Sequence, residues 1–211
     1  MAYETGDYCS LNDIKYNVGI VDSAGAVIDP SKDDGLLYDL IHQSSREIDS
    51  FCCRRFYGIS ETRYYDALDN VDQNVLLLDE DLAAIGTVTL SDGTALSASD
   101  YTLLPYNTTP KHQIRLLASS AKWYSYTTDP ENAVTVSGTW GYVAGTIPPQ
   151  VIKEACINLV RWRYQQRHAP FEQTGAGDLA TYNVTSGIPQ DVQRMLGPYR
   201  RYKFGAVEGR Y

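Results

Sequence analysis

Catalytic signatures are missing from this chain. There is no G-x-S-x-G nucleophile turn, no G-x-x-x-x-G-K phosphate cradle and no G-x-G-x-x-G, since Gly175-Ala176-Gly177 lacks both a third glycine and a preceding strand. Those absences speak against acyl-transfer and nucleotide chemistry. His42, His112 and His168 lie far apart without H-x-x-x-H or H-E-x-x-H spacing, so each reads as a polar surface histidine. Cysteine is scarce: Cys9, Cys52, Cys53 and Cys156 form no C-x-x-C, and the adjacent Cys52-Cys53 makes a poor disulfide and a poor chelate. All four read as reduced thiols of a protein assembled inside a cell. No apolar run approaches the length of a membrane span, and residues 1–7 offer neither a basic start nor an apolar core, so a protein made and used in water is expected.

What is present is ample material for a core. At 211 residues, one large domain or a core with an insert is expected, with roughly 70% of the extended surface buried on folding. Charge is uneven. Residues 1–100 carry 6 basic and 19 acidic residues, net −13, whereas residues 101–211 carry 12 and 7, net +5. An acidic chain lacks the cations that neutralise phosphate, so nonspecific DNA binding is disfavoured. Two halves of opposite sign can instead complement a neighbouring copy.

The chain divides by period. Ser10 with Asp13 three residues on makes a capping box for a short helix that Gly19 ends, and residues 18–29 read as an arm. A long helix is expected from Pro30 and Ser31 to about Phe56, with Leu37, Leu40, Ile41, Ser44, Ile48, Phe51 and Cys52 at three and four spacing. Arg54 and Arg55 suit its negative C-terminal end and Gly58 stops it. Short β-rich runs follow: Thr62–Asp66, Val75–Leu78, Thr87–Leu90, Tyr101–Leu104, Ile114–Leu117 and Ala133–Ser137. Ser91-Asp92-Gly93-Thr94 predicts a hairpin turn and Asn107–Pro110 a loop. A second long helix begins at Pro148-Pro149 with Val151, Ile152, Ala155, Leu159 and Trp162 on one face. Beyond a Gly175–Gly177 hinge, Pro189 opens a short helix to Leu196, and Gly197-Pro198 ends it before a basic aromatic end. The fold class is therefore α+β: two long helices and short flanking helices, with an inserted antiparallel β domain and a flexible C-terminal tail. Its parts are 1–30, the helical core 31–58 with 148–170, the β insert 59–147 and the tail 171–211.

Three features carry possible chemistry. Asp79, Glu80 and Asp81 could hold a divalent ion or split their pKa values for acid-base work, but their more economical reading is a turn, with Asp79 capping a helix that continues through Leu82–Ile85. Seventeen tyrosines include Tyr64, Tyr65, Tyr101, Tyr106, Tyr124, Tyr126 and Tyr142 in or beside the insert. They suit half-buried sheet surface, or alternatively a carbohydrate- or protein-recognition face. The end from Arg194 holds five basic residues against Glu208 alone.

The order Ile48-Asp49-Ser50-Phe51-Cys52-Cys53-Arg54-Arg55-Phe56-Tyr57, Thr62-Arg63-Tyr64-Tyr65-Asp66 and Leu76-Leu77-Leu78-Asp79-Glu80-Asp81-Leu82 resembles the head-tail connector family of long-tailed double-stranded DNA phages. Asp92-Gly93-Thr94, Asp100-Tyr101-Thr102-Leu103-Leu104-Pro105, Val134–Tyr142 and the helix after Pro148 extend the resemblance over about residues 31–168. It implies a non-enzymatic virion protein without cofactor or metal, assembled in the host cytoplasm and resident at the head-tail interface. Its implied partners are further copies in a ring, usually twelve, the portal protein, a neck stopper or tail-completion protein, and double-stranded DNA passing without sequence-specific contact. No membrane is involved. Acidic walls suit a sliding duplex, so Asp and Glu of the first hundred residues are expected to line the channel. Met195, Tyr199, Arg200, Arg201, Tyr202 and Phe204 are the expected docking residues for portal or neighbouring subunit. A small metal-assisted hydrolase using Asp79–Asp81 is the catalytic alternative.

Overall fold

The computed structural model describes residues 6–17, 33–66, 71–72, 74–117, 123, 131–168 and 187–201. The expected arm at 18–29, the Pro30-Ser31 helix start, the hinge at 175–177, and Tyr124, Tyr126, Tyr202 and Phe204 lie outside them. The chain forms two compact units, one of Met1–Cys53 with Pro148–Tyr211 and one of Arg54–Ile147.

The first unit is helical. Its helices are α1 (Leu11–Asn17), α2 (Asp34–Cys52), α3 (Gln150–His168) and α4 (Gln190–Leu196), with a tight turn over Gly197–Tyr199. The capping box at α1 forms as expected: Ser10 Oγ accepts the Asp13 N–H at 3.2 Å, and the Ser10 N–H reaches the Asp13 carboxylate at 2.9 Å. A Ser10→Ala chain is expected to lose about 1 kcal/mol, read as a lowered thermal midpoint.

α2 buries Leu37, Ile41, Ser44, Ser45, Ile48 and Cys52, and α3 buries Ile152, Ala155, Cys156, Leu159, Val160 and Tyr164. Small residues at Ser44, Ser45, Ala155 and Cys156 keep this layer close-packed. Around it, Lys153 pairs with Asp13 at 2.7 Å, Lys15 with Asp34 at 2.7 Å, and Arg163 with Glu47. α4 adds Val192 and Leu196 to the same core.

α2 stops at Cys52, earlier than the expected Phe56. Cys53 takes a left-handed conformation (φ 53°) and its N–H returns to Asp49 O, which turns the chain out of the helix. Arg54 and Arg55 lie beyond the helix and belong to the second unit, where they pair with Asp81 and Glu80. The α2 carbonyl of Cys52 is instead satisfied by the Arg201 backbone N–H at 2.8 Å.

The second unit is an antiparallel sheet of β1 (Ile59–Tyr65), β2 (Val71–Asp72), β3 (Val75–Thr89), β4 (Tyr101–Leu104), β5 (Lys111–Leu116) and β6 (Val134–Trp140), in the order β1-β6-β3-β5-β4 with β2 on β3. Two expected strands, Val75–Leu78 and Thr87–Leu90, are the ends of the single β3. No helix starts at Asp79. Tertiary pairing overrides the local acidic turn signal there: the first part of β3 pairs with β5 and the second with β6. Leu76, Leu78, Leu82, Val88, Ile114, Leu116, Val134, Val136, Tyr65, Trp123 and Trp140 make one core.

The Ser91–Thr94 turn forms as expected, with Gly93 at φ +82° and the Leu90 N–H bonded to Thr94 O at 2.9 Å. At the base of the unit, the Tyr142 N–H bonds Arg55 O and the Gly58 N–H bonds Gly145 O, each at 2.8 Å.

Candidate functional site

Asp79, Glu80 and Asp81 occupy an interruption of the ladder. Leu77 pairs with Gln113 and Leu82 with Lys111, so residues 78–81 stand opposite His112 alone. Extra residues on one strand re-aim side chains that would otherwise alternate, and here they send the three carboxylates to three different sets of partners.

Asp79 accepts the Tyr65 hydroxyl at 2.6 Å and both carboxylate oxygens meet Arg63 at 3.0 Å. Glu80 takes two hydrogen bonds from Arg55, at 2.7 and 2.6 Å, and one from Arg63. Glu61 joins both arginines. The Arg63 guanidinium lies 4.4 Å over the Trp140 ring, whose Nε1–H donates to Glu61 O at 3.0 Å. Asp81 is fully buried, 3.3 Å from Arg54 Nε and 3.1 Å from His112 Nδ1. His112 is thus a partner of a buried acid and not the bland surface residue expected. His42 does stand mostly exposed, 3.1 Å from Asp7.

This electrostatic arrangement favours fixed charge over proton traffic. Burial pushes the Asp79 and Glu80 carboxyls up, but the Tyr65 and arginine hydrogen bonds outweigh it and hold both below the ordinary range. The hydrogen bond to Glu80 holds the Arg55 guanidinium charged still more firmly. Acid-base catalysis near neutrality needs the opposite, a carboxyl raised toward the working pH. Among the described residues no group of three His, Cys, Asp or Glu is arranged to hold a metal ion.

Because these folded pKa values lie below the unfolded ones, the unfolded chain binds more protons in acid, and stability rises with pH. The contribution is complete above the ordinary values of 3.8 and 4.5 and is lost as pH falls through the depressed ones. Urea midpoints are expected to be flat from neutrality to about pH 5 and to fall toward about pH 3. In Arg55→Met that acid limb is expected to be shallower.

Among the described residues, the two most exposed tyrosines of the insert do not share a face. Tyr65 is buried, while Tyr64 and Tyr106 are 62% and 64% exposed. Tyr64 lies on β1 and Tyr106 follows β4, at opposite ends of the strand order.

Of the expected docking residues, Met195, Tyr199, Arg200 and Arg201 lie on α4 and in or just beyond its following turn, and Tyr202 and Phe204 lie outside the described residues. Met195 is half-buried on α4, its sulfur 3.8 Å from Asn158 Nδ2. Tyr199 is half-buried in the turn, Arg200 stacks 4.8 Å over the Phe51 ring, and Arg201 is held by its backbone to Cys52. Sequence reasoning missed the grip of this segment on the end of α2, because nothing in the tail's composition names a helix 150 positions upstream as its partner; the unmet carbonyls expected at every helix end were the available signal.

The fold has counterparts among solved structures. A chain from the neck of a native gene transfer agent particle with C12 symmetry matches at TM-score 0.55 and 14% identity, covering 94% of this chain and 92% of that one. A chain from the neck of the empty particle with C6 symmetry matches at 0.54 and 13%, with the same coverage. One from the native virion of a gene transfer agent matches at 0.52 and 14%, covering 92% and 91%. No curated protein sequence matches. The head completion protein profile spans residues 24–202, taking in α2 and α3, the β unit with its arginine-locked carboxylates, and the α4 segment alike. A helical unit carrying a charge-locked β insert is thus a structural part of the phage head-tail connector, and the chain belongs to the head completion protein family.

Proposed function

We propose that the chain acts without enzymatic activity as one subunit of a ring, twelve copies in number, docked beneath the portal and continuing the DNA channel toward a neck stopper or tail-completion protein. The family match over residues 24–202 carries this reading. The C12 symmetry of the neck that holds a similar fold supports the ring and its copy number. Opposite net charges on the two halves of the sequence favour head-to-tail contact between copies.

The channel wall is the acidic surface. Glu61, Asp79, Glu80 and Asp81 are already engaged with arginines of their own unit, so the lining role passes to exposed acids such as Asp39 and Asp92. Electron microscopy of virion necks tests ring and lining together; a neck without a ring of this mass, or one with these acids turned outward, sinks the reading.

Docking to the portal or to the next copy falls to Met195, Tyr199, Arg200 and Arg201, with Tyr202 and Phe204 beyond. Arg201 also closes the end of α2, so a stop after Arg201 removes Tyr202 and Phe204 without disturbing that bond. Such a chain is expected to fold normally and to attach to purified portal-containing heads about tenfold less well, the loss of roughly 1.4 kcal/mol typical of a removed aromatic anchor. Unchanged attachment refutes the docking role.

A further inference from the structure

We propose that Cys9 and Cys156 form an intrachain disulfide, a reversible covalent clamp fastening the N-terminal segment to α3. The inference rests on packing inside the helical unit and does not depend on the ring. The two sulfurs lie 3.3 Å apart although 147 positions separate the residues in sequence. Both side chains are buried, and both are free thiols.

The flanking structure fixes this approach. The Tyr8 N–H donates to Ser45 Oγ at 3.1 Å, the Tyr8 hydroxyl reaches Asp49, Arg46 grips Gly6 O, and His42 meets Asp7 at 3.1 Å. Residues 6–8 are therefore pinned along α2 immediately before Cys9, and just after it the Ser10 N–H bonds the Asp13 carboxylate, which in turn pairs with Lys153 of α3. Ser45 Oγ also lies 3.6 Å from Cys156 Sγ, and it is itself anchored on Ile41 O at 2.8 Å. Two thiols held face to face by independent contacts need only small side-chain rotations to reach bonding distance. The other two cysteines are chain neighbours, a poor disulfide pair: Cys53 is exposed, with its sulfur on Ser50 O, and Cys52 is buried.

The chemistry is thiol-disulfide exchange with a small disulfide such as oxidised glutathione. The hydrogen bond to Cys156 and then burial push the Cys9 thiol far up, so it stays protonated while the segment is docked. Opening of residues 6–10 exposes it, and its thiolate attacks glutathione disulfide, expelling one glutathione thiolate. Redocking brings Cys156 to the mixed disulfide; its sulfur displaces the second glutathione, and the two protein protons leave with the two glutathione thiols. Two protein thiols and one glutathione disulfide thus become one protein disulfide and two glutathiones. A reducing cytosol keeps the pair open, and an oxidising medium closes it.

The test uses the full chain with Cys53→Ser, which removes the exposed thiol as a source of cross-links between copies. After incubation with oxidised glutathione in mild denaturant, chosen to speed opening, residual thiols are alkylated in strong denaturant. Intact mass and peptide mapping then locate any bond. The expected product has lost two hydrogens, carries a Cys9–Cys156 linked peptide, and melts about 10 °C higher than its reduced form. Adding Cys9→Ser is expected to abolish the linked peptide. Full alkylation of both residues overturns the proposal, as does a bond that maps to Cys52. Because the bond is read by mass in a chain that keeps both cysteines, poor folding of the Cys9→Ser control leaves the result intact.

Discussion

An Arg54→Met chain is expected to lose about 3–5 kcal/mol of stability, measured as a lowered urea midpoint of the tryptophan emission, two of whose three sources, Trp123 and Trp140, lie in the β core. The reason is what it leaves behind. Asp81 has no exposed surface, and Arg54 Nε lies 3.3 Å from it, with the guanidinium itself 5.2 Å over the Tyr142 ring. Taking the cation away leaves a fully buried carboxylate without the guanidinium 3.3 Å from it, and an uncompensated buried charge costs more than an intact pair gains. The double change Arg54→Met with Asp81→Leu is therefore expected to recover most of the loss, since neither charge then remains. A single variant within about 0.5 kcal/mol of the unaltered chain would show that Arg54 does not balance Asp81.

The second large effect is expected at Gly141. Its φ is +133°, where side chains are strained, and an added Cβ would lie 2.0 Å from Tyr57 O. The Gly141 N–H also bonds Asp81 O at 2.7 Å, so the backbone cannot retreat without breaking that bond. Gly141→Ala combines left-handed strain of roughly 1–3 kcal/mol with a backbone clash, and the β unit is expected to be lost from the soluble fraction or to melt tens of degrees lower. Gly145→Ala is the matched control. Nothing lies within 4 Å of a Cβ there, and a change within about 0.5 kcal/mol is expected. Equal behaviour of the two variants would refute the crowding argument.

The helices were legible because their signal is local. Leu37, Ile41, Ile48 and Cys52 repeat at helical spacing and are buried as that spacing requires. Ser10 with Asp13 announced α1, and Pro189 announced α4. The β runs were legible as extended segments, but β3 was split in two because Asp79-Glu80-Asp81 has the composition of a turn. What makes those residues strand is non-local: Arg54, Arg55, Arg63 and Tyr65 arrive from outside the run and convert three acids from solvent-seeking groups into bonded ones. The same blindness placed Arg54 and Arg55 on the end of α2. Basic residues after a helix satisfy the dipole in any sequence window, and only the fold reveals that better partners are available. Family membership was readable from the order of structural motifs, whereas the grip of Arg200 and Arg201 on Phe51 and Cys52 was not, since no periodicity connects them.

The paired hydrogen bonds at the base of the β unit bear on how such chains diversify. Arg55 and Gly58 meet Tyr142 and Gly145 directly, so the polypeptide departs on an excursion of some ninety residues and returns within a hydrogen bond's width of where it left. For the surrounding chain, an excursion closed at its neck costs no more than a short loop, however much it contains. Selection can then lengthen, shrink or exchange the contents beyond that neck without re-solving the packing of α2 against α3. The β unit behaves as a cassette, and the two close approaches at Gly58 and Gly141 are its fixed socket.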